Sequence, residues 1–231
     1  MKTIGLLGGM SWESTVGYYR EINRGIKARL GGLHSARIVL YSVDFAPIEA
    51  LLRAGDWDAV TAALTDGARR VAAGGADFLL VCTNTMHQVA ETVAGAAGIE
   101  LLHIADATAR VLAAQGVKRV GLLGTAVTME ADFYKGRLTD RHGLEVMIPA
   151  AADRPRINGI IFEELCQGVV SPSSRGFFLE MVDQLGAMGA EAVILGCTEI
   201  GMLIGPKDTA MPLYDTTRIH AAAAVARALD A

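Results

Sequence analysis

Cys82 and Cys197 stand among hydroxyl residues where apolar runs end, and these side chains can move a proton at a carbon centre. The stretch Gly189-Ala190-Glu191-Ala192-Val193-Ile194-Leu195-Gly196-Cys197-Thr198-Glu199 has a counterpart in Gly75-Ala76-Asp77-Phe78-Leu79-Leu80-Val81-Cys82-Thr83-Asn84-Thr85. Laid together without a gap, at an offset of 114 residues, the two pair Thr83 with Cys197; a slip of one residue pairs Cys82 with Cys197 instead. A thiol or hydroxyl on each face of one carbon could remove a proton on one side and return one on the other, which inverts the centre. A free thiol titrates near about 8.5 and lower beside cations or helix N-termini, so it can serve as base or acid close to neutral pH. Backbone N–H groups and cations could stabilise the carbanion-like state, so this chemistry asks for no metal or cofactor.

Other chemistries find less support. There is no G-x-S-x-G for a triad hydrolase. Gly5, Gly8 and Gly9 do not make a G-x-G-x-x-G, and no P-loop lysine follows a glycine pair. Three cysteines, an odd number at spacings that match no metal motif, suggest reduced thiols in a cytoplasmic protein. Basic residues are scattered, not striped, which argues against nucleic acid, and no run reaches membrane-spanning length. The composition, 52% apolar and 20% charged with a net charge of −4, is that of an ordinary soluble protein. Cys166 reads as an apolar filler on its helix. His87 and His103 read equally as core groups or as acids and bases, Trp12 and Trp57 as packing, and Arg53 either as surface charge or as a partner for a substrate carboxylate.

The elements that must position these groups alternate between strand and helix. A second match, Ile4-Gly5-Leu6-Leu7-Gly8-Gly9 with Val120-Gly121-Leu122-Leu123-Gly124-Thr125 at an offset of 116 residues, indicates two similar halves. Symmetry of that kind tends to place one site between the halves. Strands are expected at 3–7, 36–43, 78–81, 101–104, 119–123, 146–148, 193–195 and 211–214. Helices are expected at 12–30, with Ser11 as N-cap and Gly31-Gly32 as its stop, and at 57–73, 85–95, 105–115, 129–141, 156–166, 171–188 and 215–229, with a short one before Gly55. Such alternation implies mainly parallel sheets covered on both faces, with ligands outside the carboxyl ends of the strands. The loops there carry Gly8-Gly9-Met10-Ser11, Cys82-Thr83-Asn84-Thr85, Gly124-Thr125 and Cys197-Thr198-Glu199, which suits a small anionic molecule approaching N–H groups at helix starts.

At these same residues the chain resembles the aspartate/glutamate racemase superfamily, with Gly8-Gly9-Met10-Ser11-Trp12, Cys82-Thr83-Asn84-Thr85-Met86-His87, Gly124-Thr125 and Gly196-Cys197-Thr198-Glu199 in that family's order. The resemblance covers essentially the whole chain. It implies two pseudo-symmetric α/β domains, 1–103 with the C-terminal helix 216–231 and 104–215, an active site in the cleft between them, no cofactor, an amino-acid substrate and a homodimer. It further implies Cys197 and Thr83 as the catalytic pair, and Met10, Ser11, Arg53, Asn84, Thr85, Thr125, Thr198 and Glu199 as substrate contacts.

Two departures bear on that reading. The family's first catalytic cysteine directly precedes Asn-Thr, where this chain has Thr83, with Cys82 one place earlier; strand facing reverses with each one-residue shift, so Cys82 is expected to point away from a ligand. Many aspartate racemases of the family carry a lysine where this chain has Cys166, which leaves Arg53 as the expected carboxylate clamp, able to bind it bidentately. Aspartate or glutamate is the expected substrate. The superfamily's isomerases and decarboxylases suggest a dicarboxylate as the alternative, and the missing thiol suggests a catalytically silent binding protein as another.

Overall fold

The computed structural model describes residues 1–230. The chain divides into two compact units, one of Met1–Ile104 joined by the chain from His220 on, the other of Ala105–Ile219. The first holds β1 (Ile4–Gly8), α1 (Trp12–Leu30), β2 (Ile38–Ser42), α2 (Phe45–Ala54), α3 (Trp57–Ala73), β3 (Phe78–Val81), α4 (Ala90–Ala97) and β4 (Glu100–Leu101). The second holds α5 (Ile104–Ala114), β5 (Arg119–Gly124), α6 (Ala126–Glu130), β6 (Glu145–Met147), α7 (Arg154–Glu163), α8 (Pro172–Ala187), β7 (Ala192–Gly196), α9 (Ile200–Leu203) and β8 (Leu213–Asp215), and α10 (Thr216–Leu229) runs from it into the first. Each unit has one four-stranded sheet, ordered β2-β1-β3-β4 and β6-β5-β7-β8, and every pairing is parallel. No helix among the described residues is long and apolar enough to cross a membrane.

The two units repeat down to single residues. Gly5 pairs with Leu79 across β1 and β3, and Gly121 pairs with Val193 across β5 and β7. Both glycines exist for the same reason, the close approach of the helix that leads into the neighbouring strand. A Cβ on Gly5 would stand 2.5 Å from Val71 Cγ1 of α3, and one on Gly121 would stand 2.8 Å from Leu185 Cδ1 of α8. Overpacking of that kind costs about 1–3 kcal/mol. The register therefore matches Leu79 with Val193 and, four residues further along each chain segment, Thr83 with Cys197.

In the first unit the sheet separates two apolar layers. Leu7, Leu79 and Val81 pack with Val60, Leu64 and Val71 of α3 and Val93 of α4. Ile4, Leu6, Phe78, Leu80 and Cys82 pack on the other side with Tyr18, Ile22 and Ile26 of α1 and Ala221, Ala224 and Val225 of α10. The alternation of a pleated strand carries this division, so Cys82 shares the face of Leu80.

Several elements depart from the sequence reading. The helix expected at 129–141 is broken: Thr125 caps α6, which ends at Glu130, and the chain resumes in a π-turn at Arg137–Arg141. Asp106 of α5 takes two bonds from Arg137 at 2.7 Å and one from His142 at 3.0 Å, and this distant carboxylate holds the turn. The helix expected from Thr85 begins as a 3-10 turn, Thr85–Gln88, and restarts at Ala90. The strand expected at 101–104 is only Glu100–Leu101, since Ile104 opens α5, and the short helix α9 after Glu199 was not expected. The final helix begins at Thr216, and its expected extension to residue 231 includes Ala231, which lies outside the described residues.

A buried histidine fastens α10 to the first unit. The Leu102 carbonyl lies 2.7 Å from His220 Nε2 and can only accept, so Nε2–H donates; Nδ1 then accepts from the Tyr18 hydroxyl at 2.9 Å. Burial pushes the imidazole pKa down to about 3. The unfolded chain protonates this residue near 6.5 and the folded chain does not, so its contribution is complete above that pH and is lost as pH falls towards 3, by at most about 1.4 kcal/mol per pH unit. Replacing His220 with Gln, which can donate to Leu102 and accept from Tyr18, is expected to flatten the dependence of melting temperature on pH between 6.5 and 5, as read by circular dichroism melts.

Candidate active site

Strand ends gather the candidate residues unit by unit. In the first unit β1 and β3 are neighbours, and the Cys82 N–H continues their ladder to the Leu7 carbonyl at 2.9 Å. This brings Gly8, Gly9, Met10 and Ser11 to the same edge as Thr83, Asn84 and Thr85. The glycines are shaped first by packing. A Cβ on Gly8 would lie 2.5 Å from Thr15 Cγ2, and Gly9, at φ 94°, has its N–H on Thr15 Oγ1 at 2.8 Å. Thr15 in turn donates to the Ser11 carbonyl at 2.9 Å, and Ser11 Oγ caps α1 by accepting the Ser14 N–H at 3.4 Å. The strand-to-helix turn is thus locked by Thr15, a residue the sequence reading missed although a Ser-x-x-x-Thr spacing at a helix start was visible.

The β3 end is held by His87. Its Nε2 accepts the Ile104 N–H at 3.3 Å, which makes Nδ1–H the donor to the Thr83 carbonyl at 2.7 Å and the ring neutral. Its ring also stands edge-on to His103, with centroids 4.5 Å apart. His87 is therefore a fixed support for the backbone of Thr83. Cys82, fully buried in the layer beneath α1 and α10, has its thiol pushed far up by burial. Thr83, Asn84, Thr85, Met10 and Ser11 are all buried at the strand ends.

In the second unit Gly124 pairs with Gly196, and a Cβ on Gly124 would sit 2.9 Å from the Gly196 carbonyl. Thr125 and Cys197 follow these glycines at one edge. Thr125 Oγ1 accepts the Thr128 N–H at 3.2 Å, and Asn158 of α7, also unforeseen, accepts the Ala126 N–H at 3.0 Å.

Cys197 and Glu199 form the charged centre of this edge. Glu199 is 2% exposed, and its Oε2 accepts from the Cys197 thiol at 3.0 Å and from the Thr198 hydroxyl at 2.7 Å. Burial raises the Cys197 pKa well above that of an ordinary thiol, and the Glu199 charge and then Cys166 raise it further. Cys166, in the 3-10 turn Leu165–Gln167, is itself pushed up by burial and then by Glu199. The resting centre therefore holds a protonated thiol hydrogen-bonded to Glu199. Sequence separation hid the nearness of Cys166, which had read as a filler.

Arg53 belongs to α2 rather than to a strand-end loop. It lies in the last turn of α2, its side chain is 74% exposed, and its Nε donates to Glu49 one turn earlier.

The model of the family described as Asp/Glu/Hydantoin racemase matches residues 7–224. A crystal structure from Yersinia pestis assigned to the Asp/Glu racemases superposes with a TM-score of 0.91 at 52% identity, covering 100% of both chains. PH1733 from Pyrococcus horikoshii OT3, an aspartate racemase homologue, does so with a TM-score of 0.83 at 31% identity, again covering 100% of both. The broad specificity amino-acid racemase RacX of Bacillus subtilis is 24% identical over 217 residues, 93% of this chain and 92% of that protein.

Replacing Glu199 with Gln removes the charge and weakens the acceptor that hold the Cys197 proton. The Cys197 titration, read as thiolate absorbance against a Cys197→Ala background, is expected to move to lower pH.

Proposed function

Since the chain belongs to the Asp/Glu/Hydantoin racemase family and is an amino-acid racemase, an isomerase, we propose that it inverts the α-carbon of aspartate or glutamate without a cofactor, with Cys197 and Thr83 as the two proton-transfer groups. The observation that carries the choice of Thr83 over Cys82 is the register: Gly5 opposite Leu79 and Gly121 opposite Val193 make Thr83 the counterpart of Cys197, while Cys82 is packed among Leu80 and Tyr18.

In this reading Cys197 passes its proton to Glu199, which is thereby neutralised, and takes the α-proton as thiolate, while Thr83 gives its hydroxyl proton to the other face; the Glu199 proton and the Thr83 alkoxide are then reset by exchange with solvent. The negative charge of Glu199 disfavours the thiolate in the empty protein. A substrate ammonium arriving beside Cys197 attracts the thiolate and lowers the thiol pKa as the substrate binds. Ser11, Asn84, Thr85, Thr125 and Thr198 supply neutral hydrogen-bonding groups around the amino acid, and Met10 an apolar wall. Arg53 serves as the clamp for the side-chain carboxylate by exchanging Glu49 for substrate. Cys166 adds no positive charge beside Glu199, so aspartate and glutamate compete for a clamp supplied by Arg53 alone. The thiol chemistry suits a reducing compartment, and the reading places the protein in the cytoplasm.

A hydroxyl is a far weaker acid and base than a thiol, so the two half-reactions are unequal. Enantiomers have equal free energy, so kcat/KM must still be the same in both directions. Proton NMR in D₂O with L- and D-aspartate and L- and D-glutamate is expected to show loss of the α-proton signal with formation of the opposite enantiomer. Cys197→Ala should abolish both, a loss of about 10²-fold or more. Thr83→Ala should leave α-proton exchange of one enantiomer without inversion, and Cys82→Ser should leave turnover nearly intact. If instead Cys82→Ser abolishes turnover and Thr83→Ala does not, Cys82 is the second group.

A further inference from the structure

Strand β8 is an edge strand, and the second unit leaves a cleft beside it. Leu213 and Asp215 are in register with Val193 and Leu195 of β7, so all four share one face of the sheet. Leu185 of α8 packs on that face at Gly121 and Val193, over β5 and β7. Towards β8 the same face is bordered instead by α9, the loop 205–212 and the start of α10, and these enclose a cleft of about 500 Å³. A volume of that order is typical of a small-molecule site. Its apolar lining includes Leu195, Ile204, Met211, Leu213 and Ile219. The loop wall is pinned by its own bonds, since Asp208 Oδ2 accepts the Gly205 N–H at 2.8 Å and Thr209 Oγ1 accepts the Met211 N–H at 3.1 Å.

The polar groups of the cleft select its ligand. Asp215 is occupied: its Oδ1 accepts the N–H groups of Thr217 and Arg218 at 2.9 and 3.2 Å, which ties it to the first turn of α10. Gln115 Oε1 accepts from the Tyr214 hydroxyl at 2.5 Å, so the Gln115 amide keeps only its N–H groups to offer. Arg218 approaches Asp215 Oδ2 through Nε at 3.4 Å; its side chain is 67% exposed, and its two terminal nitrogens donate no hydrogen bond among the described residues. Donors are therefore in surplus where the acceptors are already used. A carboxylate matches that surplus, since a guanidinium can hold it with two parallel bonds, and an aliphatic chain matches the apolar lining.

We propose that this cleft binds a small aliphatic monocarboxylate, its carboxylate on Arg218 and its chain against Leu195 and Leu213. The ligand differs in kind from a zwitterionic amino acid, because the cleft offers cationic and neutral donors to one end and hydrocarbon to the other. Two of the lining residues, Leu195 and Gly201, stand two before Cys197 and two after Glu199. The bound acid thus rests against both ends of the segment that carries the thiol and its carboxylate.

Methyl-resolved NMR of the full chain, with Ile, Leu and Val methyls labelled, tests this with hexanoate, and with hexanamide and hexylammonium as its neutral and cationic counterparts. Hexanoate is expected to shift the Ile204, Leu213 and Ile219 methyls saturably, with a dissociation constant of about 1 mM, as about eight non-hydrogen atoms allow. Hexanamide is expected to bind about fivefold or more weakly, and hexylammonium to leave these methyls unmoved. Arg218→Gln is expected to bring hexanoate down to the affinity of hexanamide, a loss of about fivefold or more. Ala210→Trp, which fills the cleft from its lining, is expected to remove the shifts for every probe. Both positions are exposed, and circular dichroism melts of each variant verify that the fold is kept. Hexanoate shifts confined to methyls outside the cleft, equal affinity for hexanoate and hexylammonium, an Arg218→Gln variant that still prefers the acid, or an Ala210→Trp variant that still binds it overturns the proposal.

Discussion

The parallel pairing of two central strands in each unit, β1 with β3 and β5 with β7, is the constraint on which the rest depends. A pleated strand offers each side chain one of two faces, and a slip of one residue exchanges them all. Gly5 and Gly121 hold the register by letting Val71 and Leu185 pack directly against the strand, where any side chain would collide. That contact decides that Cys82 joins the core beneath α1 and that Thr83 becomes the counterpart of Cys197. The chemistry of the strand ends thus follows from a packing requirement some three residues earlier.

Beyond the strands, each functional group is held by a neighbour whose own role is structural. His87 cannot act as a free base while Ile104 and Thr83 occupy its two nitrogens, yet it fixes the backbone of Thr83. Thr15 holds both Gly9 and Ser11, so the turn that opens α1 keeps its shape without a ligand. Glu199 gathers the Cys197 and Thr198 protons on one oxygen. Burial and this carboxylate act in the same direction on the thiol, and a cation arriving there acts in the opposite direction.

Helix α1 connects these levels. Its first turn caps at Ser11 beside the strand ends, its middle fills one layer of the core with Tyr18 and Ile22, and its outer side presents Trp12, Val16 and Tyr19. Three sets of residues interleave at helical spacing, and each meets a different environment because 3.6 residues complete a turn.

Local information was enough for much of this. Helices α1 and α3 could be read to the residue, because glycine follows each end and Ser11 marks the start of α1. The two-half organisation and the pairing of Thr83 with Cys197 were also legible, since repeated strands carry repeated glycines and an ungapped repeat preserves strand parity. Tertiary structure alone decided the features that depend on distant partners. Asp106 captures Arg137 and His142 and breaks a helix that periodicity made continuous. Cys166 comes beside Glu199 and Cys197, although more than thirty residues separate them in the chain. Arg53 turns to Glu49, one helical turn away. Hydrophobic periodicity and capping act over a few residues and are written into the sequence directly, whereas the partner of a charge or thiol is chosen by whichever segment folding brings near, and that choice has no local signature.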